Sequence, residues 1–231
     1  MSTVARNEDA FASILRQAGA VCAEHEGRLT VLNFGSAAGE LAVCLRAVGL
    51  VDRSELTKLV LEGPSERIAA VLVRVAGSDL AVGGVAQRST TWWCRADEDR
   101  AIAICEPARG KRLRDELRLQ ARRHGSVAVN DCSRTWTAIE LIGRATPNIL
   151  SALGVYGELR DARRVPPFSA ARIGTVEGSW LLESPRRALA LVPREHAAIA
   201  WRELEEVGRP FAISCVGQQA AARYSLLDPP T

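Results

Sequence analysis

The residues able to do chemistry are few and scattered. The six cysteines are Cys22, Cys44, Cys94, Cys105, Cys132 and Cys215. No two form a C-x-x-C pair, and most lie in apolar runs, where a free cysteine packs as a small hydrophobe. His25, His124 and His196 stand far apart and share no metal-ligand spacing with the cysteines, so no metal site is expected. There is no G-x-S-x-G nucleophile elbow and no G-x-x-x-x-G-K-[ST] phosphate loop. Gly83-Gly84 is too short to cradle phosphate and reads as a strand bend. Gln87-Arg88 follows it, and no acidic residue lies between Asp79 and Asp97. The most charged segment is Arg112 to His124. There Arg112, Arg114, Arg118, Arg122 and Arg123 surround an apolar line of Leu113, Leu117 and Ala121. Such a helix can face phosphate groups, an acidic partner surface or plain solvent. Asp115 and Glu116 dilute its charge, and no aromatics are interleaved for base stacking, so nucleic acid is not an expected partner.

The elements that must position these residues are clearest in Gly39 to Pro64. Ala42, Leu45, Ala47 and Val48 recur at helical spacing, which predicts a helix over Glu40 to Val48 with Gly49 as its stop. Asp52 and Ser54 mark a turn, Lys58 to Leu61 a short strand, and Gly63-Pro64 the start of another helix. Ile68, Val71, Leu72 and Val75 continue that helix until Gly77. Leu80 to Val85, Thr90 to Arg95 and Ala101 to Ile104 read as strands of one antiparallel sheet. Thr137, Ile139 and Leu141 alternate as in a strand, and Ile149, Leu150 and Leu153 predict a short helix. Ile173 to Leu182 and Ala188 to Val192 read as paired strands, and Arg194 to Val207 as a helix ended by Gly208. Asp9 to Gln17 is a first helix after a frayed terminus, and Val31 to Phe34 a strand. Adjacent on one strand, Trp92 and Trp93 point to opposite faces.

The totals agree with a soluble globular chain. It has 231 residues, 47% hydrophobic and 25% charged, and a formal charge of +3. That length supports a core without metal or disulfide. The opening MSTVARNEDAF has no continuous apolar stretch, so no secretory signal is expected. No uncharged apolar run reaches the roughly 20 residues of a membrane span. The expected setting is a reducing cytoplasm, with no membrane partner.

Asp52-Arg53-Ser54 leads through a strand to Gly63 and a helix, and Asp131-Cys132-Ser133 leads through a strand to Gly143 and a helix. This echo predicts two βαβ-type halves. The pattern Ala42-Val43-x-x-Arg46-x-x-Gly49-Leu50-x-Asp52-x-Ser54-x-x-x-Lys58-Leu59-x-x-x-Gly63-Pro64 resembles the opening signature of the glycine-cleavage T-protein family, folate-dependent aminomethyltransferases. Asp131-x-Ser133, Ala138-Ile139-Glu140-Leu141-x-Gly143, Trp180 and His196 to Leu204 are similar to the gamma subunit of heterotetrameric sarcosine oxidase. Cys215-Val216-Gly217-Gln218-Gln219 partly resembles the cysteine motif of folate-dependent iron–sulfur maintenance proteins.

The resemblance implies an α+β fold: a folate-binding T-protein-like domain of two pseudo-repeated βαβ-type halves, with antiparallel sheets and helices on one face. Residues 1–34 would be an N-terminal helix and lead-in, 35–125 the first half and 126–231 the second, with no C-terminal β-barrel. It implies tetrahydrofolate as the cofactor, near Leu56, Gln87, Arg88 and Arg223. The family's aspartate pair after Gly-Gly is replaced here by Gln87-Arg88, and a cation cannot stabilise a developing iminium. The family's pterin-gripping glutamate signature is absent from Leu182 to Arg186, so no catalytic residue is assigned. The expected role is a ligand-binding or accessory subunit working beside flavin oxidase or demethylase subunits. The alternatives are a tetrahydrofolate-dependent transferase with relocated groups, and an iron–sulfur maintenance factor using Cys215.

Overall fold

Among the described residues, strand-forming segments build two large sheets, each with its own helices and core, and one small two-stranded sheet. The computed structural model describes residues 3–25, 27–156 and 166–227. In chain order the elements are α1 (Thr3–Gln17), β1 (Val21–His25), β2 (Arg28–Asn33), α2 (Ala37–Arg46), β3 (Val48–Asp52), β4 (Thr57–Glu62) and α3 (Ser65–Val75). Then come β5 (Val85–Arg88), β6 (Thr91–Asp97), β7 (Arg100–Cys105), α4 (Pro107–His124), β8 (Ala128–Asp131), β9 (Trp136–Ile142) and α5 (Thr146–Ala152). The chain ends with β10 (Phe168–Ile173), β11 (Val176–Ser184), β12 (Arg187–Pro193), α6 (Ala197–Gly208), β13 (Ile213–Cys215) and α7 (Gln218–Leu227).

One compact unit comprises Met1–Ser54, Thr137–Val165 and Ala170–Thr231. Its six-stranded sheet runs β10-β11-β12-β9-β3-β13, beside the β1-β2 hairpin. β3 pairs antiparallel with β9, Leu50 opposite Leu141, and parallel with β13, Ser214 opposite Gly49. Strand side chains alternate between faces, and both sets are apolar here. Leu50, Ile139 and Leu141 join Phe11, Trp180 and Trp201 in one core. Val51 and Ile142 join Cys44, Val216 and Tyr224 in another. The expectation of helices on one face therefore fails for this sheet: α2 and α7 cover one side, and α1, α5 and α6 the other. The alternation read in Thr137, Ile139 and Leu141 marks one face of a strand that is buried on both.

The second unit comprises Glu55–Trp136 and Pro166–Ser169. Its sheet, β5-β6-β7-β4-β8, is antiparallel throughout. α3 and α4 lie over one face, where Ile68, Val71, Leu72, Leu113 and Leu117 meet Leu59, Leu61, Trp93 and Ala103. Each large apolar side chain so buried contributes roughly 1.5–3 kcal/mol. Trp93 is in this core and Trp92 is half-buried, as opposite faces require.

Several boundaries move. α2 ends at Arg46, and Gly49 is no helix stop but a buried strand residue. A side chain there would meet Val216 at 2.8 Å and the Cys44 sulfur at 3.0 Å, so close packing, not chain reversal, demands the glycine. Leu80 to Gly84 is a turn, with Gly83 at φ +80°, and the strand starts only at Val85. Helix α1 begins at Thr3. β1, β13 and α7 were not foreseen; the tail after Leu227 and residues 163–165 of a loop expected over 163–168 lie outside the described residues, and Phe168 of that loop starts β10. Among the described residues no helix is long and apolar enough to cross a membrane.

Candidate functional site

A dense run of buried polar side chains lies where β3 ends. Asp52, Arg53, Glu55, Thr57 and Lys58 are all buried. Asp52 ends the strand with a side-chain turn: its Oδ1 accepts from the Ser54 N–H at 2.9 Å and from the Ser54 hydroxyl. Short oxygen-bearing side chains favour such turns because they replace a backbone acceptor two residues away. Asp131 repeats the geometry after β8, accepting from the Ser133 N–H at 3.0 Å. Ser133 Oγ in turn accepts from the Lys58 N–H at 2.9 Å, tying the start of β4 to that turn.

Glu140, on β9, is the centre of a buried ion cluster and is 1% exposed. Arg53 Nη1 donates to its Oε2 at 3.0 Å, and Arg187 Nε donates to its Oε1 at 3.0 Å, with Arg187 Nη2 on the same oxygen. Arg187 Nη1 donates to Ser225 Oγ at 2.7 Å, and Glu183 lies 3.6 Å from Arg187 Nε. Burial alone would push the Glu140 carboxyl up. The charges and hydrogen bonds of Arg187 and Arg53 outweigh burial and hold it below its ordinary value. Both its oxygens are occupied and it stays ionised, so Glu140 serves neither as a general base nor as a free acceptor. Glu40 is engaged in the same way: its oxygens accept from the Phe34 N–H at 2.7 Å and the Gly217 N–H at 2.8 Å.

Cys215 lines an open recess of about 300 Å³ with Leu50, Glu205, Arg209 and Ser214. Its thiol donates to Glu205 Oε1 at 3.6 Å. Burial first, and then the Glu205 charge, push it up to about 12. The nucleophile in cysteine chemistry is the thiolate, and at neutral pH this group is a thiol. All six cysteines are free, and among the described residues no cluster of three or more His, Cys, Asp or Glu could hold a metal.

The residues expected around a folate are distributed as follows. Leu56 is buried at the start of the five-stranded unit. Gln87 and Arg88 are exposed on the edge strand β5, opposite Trp92 and Thr91. As neighbours on a strand they point to opposite faces, so they cannot grip one ligand group together. Arg88 packs its guanidinium over Gly77, where a side chain would come within 3.2 Å of Nη1. Arg223 is exposed on α7, in the other unit. A pterin ring needs a carboxylate to accept from its amino and ring N–H groups. These four residues offer one apolar side chain, one amide and two guanidiniums. Arg88 in one unit and Arg223 in the other could each meet a carboxylate of a folate's glutamyl tail, and none of the four supplies a carboxylate for its pterin.

The buried Arg53–Glu140–Arg187 cluster was not foreseen as a unit. Its signal was in the sequence: Glu140 stands in the apolar strand Ala138-Ile139-Glu140-Leu141-Ile142, and a charge buried there requires partners.

No protein-family model matches the sequence, and comparison with curated proteins finds no relative. Solved structures do match. The crystal structure of glycine cleavage system aminomethyltransferase T from Bartonella henselae superposes with a TM-score of 0.72 at 16% identity. That match covers 91% of this chain and 59% of that one, so the chain spans about three fifths of that protein's length. A chain of heterotetrameric sarcosine oxidase from Corynebacterium sp. U-96, in complex with pyrrole 2-carboxylate, superposes with a TM-score of 0.58 at 20% identity, over 77% of this chain and 93% of that one. The likeness is one of fold: this chain has a T-protein-like fold, mixed α/β with sheets that are antiparallel except for the β3–β13 pair.

Proposed function

We propose, from the T-protein-like fold, that this chain is a catalytically silent accessory subunit of a one-carbon oxidase or demethylase. The observation that carries this reading is the replacement of a carboxylate by Gln87-Arg88 after the Gly-Gly turn, on a strand with no acidic side chain. Aminomethyl transfer develops positive charge on the transferred carbon and nitrogen, and a guanidinium opposes it. The match to 93% of a chain of heterotetrameric sarcosine oxidase supports partnership with other subunits. The Cys215 thiol, pushed up by burial and by Glu205, is a poor nucleophile at neutral pH, which weighs against a role as a reactive cysteine.

A folate-type ligand meets this chain through its anionic tail, at the exposed Arg88 of the five-stranded unit, rather than by its pterin. The matched turns at Asp52-Ser54 and Asp131-Ser133, each leading into a strand, a glycine and a helix, support two pseudo-repeated halves over 35–125 and 126–231. Isothermal titration with folinic acid and with p-aminobenzoyl-glutamate tests the ligand reading. Tail-only recognition predicts equal affinities, to within about threefold, and loss of heat in Arg88→Ala. An advantage of about 100-fold or more for folinic acid would mean that the pterin is gripped and would overturn it.

A further inference from the structure

A basic recess lies between α4 and β8, the outermost strand of the five-stranded sheet. Val129 stands opposite Leu61 in the pairing of β8 with β4, and Leu61 belongs to the core under α3 and α4. Side chains on a strand alternate, so Val129, and Val127 two residues before it, face the helix side. Both are only half-buried. With Ala121 of α4 they floor an open recess of about 390 Å³, within the range of small-molecule sites. The turn Gly125-Ser126 belongs to the same lining. Its Ser126 carbonyl packs directly on Gly63 and leaves no room for a side chain there, so the turn is pinned to the residue that follows β4.

Arg118 and Arg122 line the recess and are neighbours one turn apart on α4. Among the described residues neither guanidinium has an ion-pair partner, and both are exposed. Arg114, one turn earlier, differs, because it pairs with Asp131. Two uncompensated cations therefore stand over an uncovered apolar floor. A single carboxylate balances only one of them. A phosphate monoester, with a charge approaching −2 at neutral pH and three strong acceptor oxygens, balances both and accepts from each guanidinium. The carbonyl end of α4 opposes an anion, but with about half a unit charge against two full ones.

We infer that this recess binds a small organic phosphate. Its dianionic head bridges Arg118 and Arg122, and its apolar group covers Ala121, Val127 and Val129. Exposed ion pairs are weak one at a time, so the site works through both arginines and the floor together. It selects a phosphate that carries an apolar substituent over the bare ion. No aromatic side chain lines the recess, so a stacked nucleobase gains nothing there. This inference uses only the five-stranded unit and goes beyond the accessory-subunit reading, whose fate in a turnover or folate assay leaves it untouched.

The test titrates phenyl phosphate into the full chain, read by backbone amide NMR, with inorganic phosphate and phenol as partial probes. The variants are Arg118→Gln, Arg122→Gln and the two together. Arg112→Gln is the control, an exposed arginine of α4 that does not line the recess. The expected result is saturable binding of phenyl phosphate below about 10 mM, with shifts centred on Gly125 to Val129. It should bind at least about fivefold more tightly than inorganic phosphate, and phenol should not bind. Each recess substitution should weaken binding by about three- to tenfold, the pair by more, and Arg112→Gln by less than about twofold. No saturation up to about 10 mM would overturn the inference. So would equal affinity for phenyl phosphate and inorganic phosphate, which would leave a bare charged surface, or a loss in Arg112→Gln as large as in the double variant. The comparison of probes uses the wild type alone, and unchanged melting temperatures certify the fold of the variants.

Discussion

Glu140 shows how a single buried charge can be structural rather than catalytic. With Arg53 on one oxygen and Arg187 on the other, it is a saturated acceptor at the centre of the six-stranded unit. Glu140→Gln removes the carboxylate that Arg53 and Arg187 share, leaving Arg187 only the more distant Glu183 as an ion-pair partner among the described residues, and should destabilise the protein by about 3–5 kcal/mol in urea denaturation. The pH dependence follows from its depressed carboxyl. The contribution is complete above the ordinary value of 4.5 and is lost as pH falls through the depressed value. The wild type should therefore lose stability in acid more steeply than Glu140→Gln. The cysteines behave oppositely. Cys44 and Cys215 are pushed from an ordinary 9.0 up to about 12, chiefly by burial. Stability tied to them is full below pH 9 and declines as pH rises toward 12. In the native protein at neutral pH iodoacetamide should label the exposed Cys22 first, with Cys44 and Cys215 labelled only after unfolding, as mass spectrometry would read.

Elements with strong periodicity were legible in the sequence, and those defined by tertiary packing were not. Ile68, Val71, Leu72 and Val75 place α3, and its end at Gly77, because an amphipathic stripe fixes its own period. Asp52 and Ser54 announce their turn by side-chain chemistry alone. The three-residue β13 has no local signal and exists because β3 offers it a parallel edge. Gly49 was misread for the same reason: nothing nearby in sequence reports that Val216 presses against it. Gly143 is a sharper case. It has φ +128°, and a side chain there would lie 2.6 Å from the carbonyl oxygens of Ala47 and Cys44. Gly125 also has positive φ but open space around it. Gly143→Ala should cost at least about 3 kcal/mol, combining backbone strain with the clash, while Gly125→Ala costs about 1–2 kcal/mol from strain alone. Chemical denaturation of the two variants checks the order.

For the whole molecule, the fold is T-protein-like, and no acidic side chain follows the Gly-Gly turn before Asp97. The resemblance in Gly39 to Pro64 consists of residues that shape turns and close contacts, and the structure gives Gly49, Asp52 and Ser54 such roles. The candidate ligand residues were legible only by position in that resemblance. Their chemistry was not, because burial, strand alternation and the edge position of β5 depend on the folded sheets. The most direct measurement is turnover of an N-methyl or aminomethyl donor by the purified chain with tetrahydrofolate, following methylene-tetrahydrofolate. The predicted result is no folate-dependent product, in the wild type and in Gln87→Asp alike. Folate-dependent product formation by the wild type alone would contradict the accessory role.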